Sequence, residues 1–127
     1  MKFKMWLSIA AVTLLSACGA PDESERPDKQ GAAAAVDIDQ GRELYTKNCS
    51  SCHGLMMNGT GQGPPLNHKI YEPGHHGDQA FYRAVKEGAR AHHWNFGDMP
   101  PLPEVTTDEV TQIVAYVRDR QQKSGIH

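Results

Sequence analysis

The chain has 127 residues, of which 39% are hydrophobic and 22% charged, with a formal net charge of -2. That composition suits one globular domain, leaves no room for a second, and lacks the basic excess that nucleic-acid binding requires. A folded part of about 90 residues is near the size at which an apolar core alone is marginal, so a crosslink or a large apolar group is expected to help it fold.

Residues 1–17 have a basic start (Lys2, Lys4), an apolar run from Met5 through Leu15, and then Leu15, Ser16, Ala17 and Cys18. That order predicts a secretory signal, with an ordinary cleaved signal or a short uncleaved anchor as the alternatives. Its last four residues resemble a bacterial lipobox. The resemblance implies that Cys18 becomes the first mature residue, carries diacylglycerol and anchors the chain to the membrane; Gly19 after it favours the outer membrane. Removing residues 1–17 leaves 11 Lys and Arg against 15 Asp and Glu, a mature charge of -4, much of it in the tail acids Asp22, Glu23, Glu25 and Asp28. Residues 18–36 are rich in Pro, Ala, Gly and charge without hydrophobic periodicity, and predict a flexible tether.

The folded domain is expected over residues 37–127. Ile38, Gly41, Leu44 and Tyr45 recur at helical spacing and predict a first helix over 39–47, capped by Asp37 or Asp39. A second helix is predicted over 78–87, capped by Asp78, with Phe81, Ala84 and Val85 on one side and Gly88 ending it. The third follows a Thr106/Glu109 capping box. Val110, Ile113, Val114 and Val117 form its apolar stripe, with Asp108, Gln112, Arg118 and Gln121 outside it. Nothing alternates at period two, so the fold class is all-α, three main helices joined by long Gly/Pro-rich loops.

The first helix leads into Cys49-Ser50-Ser51-Cys52-His53. Two thiols three residues apart, followed at once by an imidazole, suit covalent attachment of one haem through Cys49 and Cys52 and ligation of its iron by His53. A thioredoxin-like redox pair would need a βαβ context, and half of a zinc site would need a further Cys or His pair. With Cys18 lipidated, none of the three cysteines remains for a disulfide.

Residues 41–54, together with Gly63-Pro64-Pro65-Leu66 and Met99-Pro100-Pro101-Leu102, resemble the class I cytochromes c over about residues 37–122. That resemblance implies an all-helical fold enclosing one covalent haem c, with the first and last helices crossing where Gly41 leaves a gap filled by Tyr116. It implies that the Pro64 carbonyl accepts the second imidazole N–H of His53, and that Leu66 packs on the haem face. Met99, in a loop stiffened by proline, is the candidate second axial ligand; His92 and His93 compete with it. Trp94 is either a donor to a haem propionate or a core aromatic, and Tyr71 has the same two roles open.

The resemblance further implies an electron-transfer protein rather than an enzyme: a monomeric single-haem carrier on the periplasmic side of the bacterial envelope, exchanging electrons with partner proteins through an exposed haem edge. The rival is a haem enzyme or gas sensor with an open iron position. Five histidines, His68, His75, His76, His92 and His93, are not called for by that pattern. They are either loop residues and propionate donors, or a second site for Cu(II) or Zn(II) drawing one imidazole from each adjacent pair, with Met56 and Met57 suited to Cu(I).

Overall fold

The computed structural model describes residues 35–127. The predicted signal (1–17), the lipidation site Cys18 and nearly all of the tether (18–36) lie outside the described residues. The architecture is helical: α1 (Ile38–Asn48), the one-turn α2 (Ser50–His53), a 3-10 turn at Lys69–Tyr71, α3 (Asp78–Glu87) and α4 (Thr107–Lys123). Among the described residues the sole β-type pairing is an isolated bridge, Ala89 to Met99. The all-α expectation holds, and the three long helices fall within about one residue of their predicted starts.

Asp37 caps α1, its carboxylate accepting from the N–H groups of Asp39 and Gln40 at 2.9 and 3.1 Å. Helix α4 begins with the full capping box, Thr106 and Glu109 bonding each other's backbone N–H. For α3 the cap is Gly77, without a side-chain bond. Asp78, predicted as the cap, is the first helical residue and pairs with Arg118 instead, at 2.8 Å.

The core centres on the crossing of α1 and α4. A Cβ at Gly41 would overlap the Gln112 carbonyl oxygen and stand 2.9 Å from Tyr116 Cβ, so the two backbones meet only because position 41 is glycine. Tyr116 packs beside Tyr45, ring centroids 5.6 Å apart at 59°. Ile38, counted on the apolar face of α1, is instead exposed.

Two residues assigned to the outer face of α4 are buried: Gln112 is 3% and Gln121 0% exposed. Their physical role is to serve loops that lack backbone partners of their own. Gln112 Oε1 accepts the Asp37 N–H at 2.7 Å. Gln121 Nε2 donates to the carbonyls of Leu66 (2.8 Å) and Tyr71 (3.2 Å). Arg118, also expected outside, is half-buried and donates to the carbonyls of Tyr71 and His76. Gln112 ties the start of α1 to the last helix, and Gln121 and Arg118 tie the loop over 66–76 to it.

Candidate functional site

The cysteine motif is wound into a single helical turn. The Cys49 N–H closes α1 on the Tyr45 carbonyl at 2.9 Å, and the His53 N–H returns to the Cys49 carbonyl at 3.0 Å. The Tyr45 hydroxyl donates to the Gly54 carbonyl at 2.7 Å, and burial raises its pKa well above the ordinary value of 10.0. The motif is thereby fixed to the helix crossing from both ends. Cys49 and Cys52 are free thiols. Burial, with Cys52 as a smaller cause, pushes the Cys49 thiol up to about 11. A redox-active cysteine needs the opposite shift, which argues against a thioredoxin-like pair.

His53 is 8% exposed, and its Nδ1 lies 2.9 Å from the Pro64 carbonyl oxygen. A carbonyl can only accept, so Nδ1 carries the proton and Nε2 keeps its lone pair. Burial lowers the His53 pKa below the usual imidazole value, against a smaller opposing effect of the Pro64 bond. The imidazole is held neutral, as a metal ligand must be.

His53 and Met99 line one cavity of about 510 Å³ together with Cys49, Pro64, Leu66 and Trp94. Its floor is the apolar stripe of α4, Val110, Ile113, Val114 and Val117, and Val85 of α3 closes one side. Cys52 is not among the lining residues; its Sγ lies 3.8 Å from Gln62 Oε1. The volume is that of a cofactor pocket.

Met99 stands at the base of the loop after α3. It exchanges both bridge hydrogen bonds with Ala89, at 2.8 and 3.0 Å. Gly88 makes this approach possible: its φ is +80°, and a Cβ there would come within 2.6 Å of the Met99 carbonyl oxygen. His92 and His93, the competing axial ligands, are grouped with His75 and His76 at the exposed rim of the same cavity.

Trp94 is half-buried in the lining, and its buried indole N–H acts on the Tyr71 hydroxyl without reaching full hydrogen-bond geometry. Tyr71 lies beside it; burial raises the Tyr71 pKa, and the indole only partly opposes that. His68 does not join the other histidines: its Nδ1 accepts from the Ile70 N–H at 3.2 Å, and its ring meets Trp94 edge-on at 5.2 Å. Met57 is fully buried in the core and Met56 is 63% exposed, so the two do not form a paired soft-ligand set.

These residues fit a haem. An apolar cavity holds an oriented neutral imidazole and a thioether on its lining, has a free thiol at its wall and a second within the same helical turn, and contains one donor without a full hydrogen bond, suited to a carboxylate. Sequence reasoning placed Gln121 and Arg118 in solvent and gave Gly88 only the end of α3, where it stands; all three also position the loops around the cavity. The four-residue step from Val117 to Gln121 was the available signal for the first of them.

A family model described as Cytochrome c matches residues 38–121. Cytochrome c-551 of Bacillus subtilis (strain 168) is 34% identical over 62 residues, which are 49% of this chain and 54% of that protein. The chain thus spans about half the length of the curated relative it matches. No solved structure matches it significantly. With a family match across both terminal helices and everything between them, the chain belongs to the cytochrome c family.

Proposed function

We propose that this chain is a monomeric single-haem electron carrier of the bacterial cell envelope, not an enzyme. Cys49 and Cys52 attach haem c, and His53 and Met99 ligate its iron. The observation that carries the reading is the pairing of an oriented imidazole and a loop-fixed thioether on one apolar cavity. When bound, the haem supplies a one-electron iron couple, and its axial ligands and burial tune the potential.

The protein's own contribution is restraint. The Pro64 carbonyl keeps the proton on His53 Nδ1 and so fixes the ring's orientation, while burial keeps the ring neutral. The valines of α4 and Leu66 exclude water. The Trp94 N–H is the donor for a propionate. The bridge to Ala89 holds the Met99 backbone at the cavity, where its side chain lies on the lining.

Cys18 carries the lipid, and residues 18–36 let the domain reach redox partner proteins on the periplasmic side, at the inner or outer membrane. Intact mass measurement of the mature protein tests this. The expected species starts at Cys18, bears diacylglycerol, and retains one haem after acid extraction in organic solvent. Haem that extracts freely overturns the attachment, and a mature chain starting elsewhere overturns the anchor.

A further inference from the structure

The histidines at the cavity rim have a geometry that solvated loop residues do not need. His75, His76 and His93 each offer a ring nitrogen, and these all lie within 4.8 Å of one another. His92 stands against them, its ring 4.3 Å from that of His93 and 5.7 Å from that of His76. Two segments bring them together. The turn after the 3-10 helix binds the N–H groups of both His75 and His76 to the Glu72 carbonyl, at 3.0 and 2.8 Å. The Ala89 to Met99 loop, closed by its bridge and by the Ala91 N–H on Asp98 Oδ1 at 2.9 Å, carries the other pair.

The tautomers follow from the backbone. His76 Nδ1 lies 2.7 Å from the Ile70 carbonyl oxygen, and His92 Nδ1 lies 2.7 Å from that of Arg90. Both Nδ1 atoms therefore carry protons, and both Nε2 atoms bear lone pairs. Those two Nε2 atoms face each other at 3.4 Å. Between neutral rings no proton remains to join them, and the contact is repulsive unless a cation lies between. His75 Nε2 and His93 Nε2 lie 3.2 Å apart, a contact that a single Nε2 proton joins when no metal is bound. Two nitrogens bound to one tetrahedral ion at about 2.0–2.1 Å stand about 3.3–3.4 Å apart, which matches the His76–His92 pair at 3.4 Å and needs a small opening of the His75–His93 pair from 3.2 Å.

We propose that His75, His76 and His93, with His92 beside them, form a site for a borderline divalent cation, Cu(II) or Zn(II), at the rim of the cavity. An all-imidazole donor set suits these ions and not Mg(II) or Ca(II), and Cu(II) is the tighter of the two. Bonds from Nδ1 to backbone carbonyls are the outer contacts that orient metal-ligating histidines. The opposing charge, the Arg118 guanidinium near His76, is engaged by Asp78 at 2.8 Å. Because His93 and Met99 share one loop, an ion here stiffens the segment that carries Met99. The site is argued from the imidazoles alone and does not require the haem ligands to be as proposed above.

The test is titration of untagged holoprotein with copper sulfate and, separately, zinc sulfate, followed by calorimetry, with electron paramagnetic resonance of the copper form. One equivalent is expected to saturate the site, copper binding more tightly than zinc, with nitrogen couplings in the copper spectrum. His75→Ala/His93→Ala should weaken binding at least about tenfold, and His68→Ala should leave it unchanged. Absence of binding by either ion overturns the site, as it would if haem propionates occupied these imidazoles. Bound copper with oxygen ligation alone also overturns it, in the unaltered protein and so independently of how the variant folds.

Discussion

The two parts of the cavity wall are built differently. The segment from Cys49 to Leu66 is saturated with bonds: its helical turn is tied to Tyr45, His53 is fixed by Pro64, and the carbonyls of Leu66 and Gly54 each have a buried donor. The loop from Gly88 to Met99 rests on one bridge, the Ala91 contact to Asp98, the His92 bond to the Arg90 carbonyl and imidazole contacts at its exposed tip, and leaves the Trp94 indole N–H without a full hydrogen bond. The first wall is organised by the chain itself. The second is complete only when something fills the cavity and its rim, so cofactor loss should loosen it first.

The largest expected effect lies on the first wall. Cys49→Ala/Cys52→Ala should abolish covalent haem altogether, read as loss of haem-associated peroxidase staining on a denaturing gel; persistent staining would refute the attachment. Next is Gly41→Ala, which forces α1 off α4 at a contact between backbones and should cost about 1–3 kcal/mol. For a domain of this size that is a fall of about 4–8 °C in Tm per kcal/mol. An unchanged Tm would show that the helices part without penalty.

Gln121→Leu sharpens the comparison, because it strips the donor from Leu66 while leaving both walls' own residues intact and the Tyr71 carbonyl still bonded to Arg118. Leaving the Leu66 carbonyl unpaired should cost about 1–3 kcal/mol in denaturant unfolding. The smallest effect is at the start of α4, outside both walls: Thr106→Ala should cost about 1 kcal/mol. The Glu109 carboxyl lies below its ordinary value of 4.5, first because it accepts the Thr106 backbone N–H and second because it accepts the hydroxyl. Its folded pKa is below the unfolded one, so its contribution is complete above about pH 4.5 and is lost as pH falls through the folded value. Glu109→Gln should lower Tm at neutral pH and converge on the parent in acid; a constant difference across pH would contradict that.

The first wall and the long helices were legible in the sequence because they are local. A capping box and an attachment motif each declare themselves within a few residues, while the Gly41 crossing and the Pro64 bond to His53 were expected from the resemblance to class I cytochromes c. The buried glutamines were not, since counting only apolar residues along α4 assigns Gln112 and Gln121 to solvent, whereas the loops need their amides as bonding partners. The histidines show the same limit. Adjacent side chains were expected to diverge and supply one ligand per pair, yet His75 and His76 both enter one cluster, because their turn is closed on Glu72 and held by Arg118. His68, equally near in sequence, is turned to Trp94. Side chains brought together across 16 to 18 residues leave no periodic signal.

The central claim is that the weaker wall nevertheless supplies the second axial ligand. The ferric absorption spectrum of the purified holoprotein, recorded before and after Met99→Ala, tests this directly. The account predicts low-spin iron with the weak near-infrared band of thioether ligation, lost on substitution. A high-spin spectrum that shifts on adding cyanide, or one that Met99→Ala leaves unchanged, would contradict it.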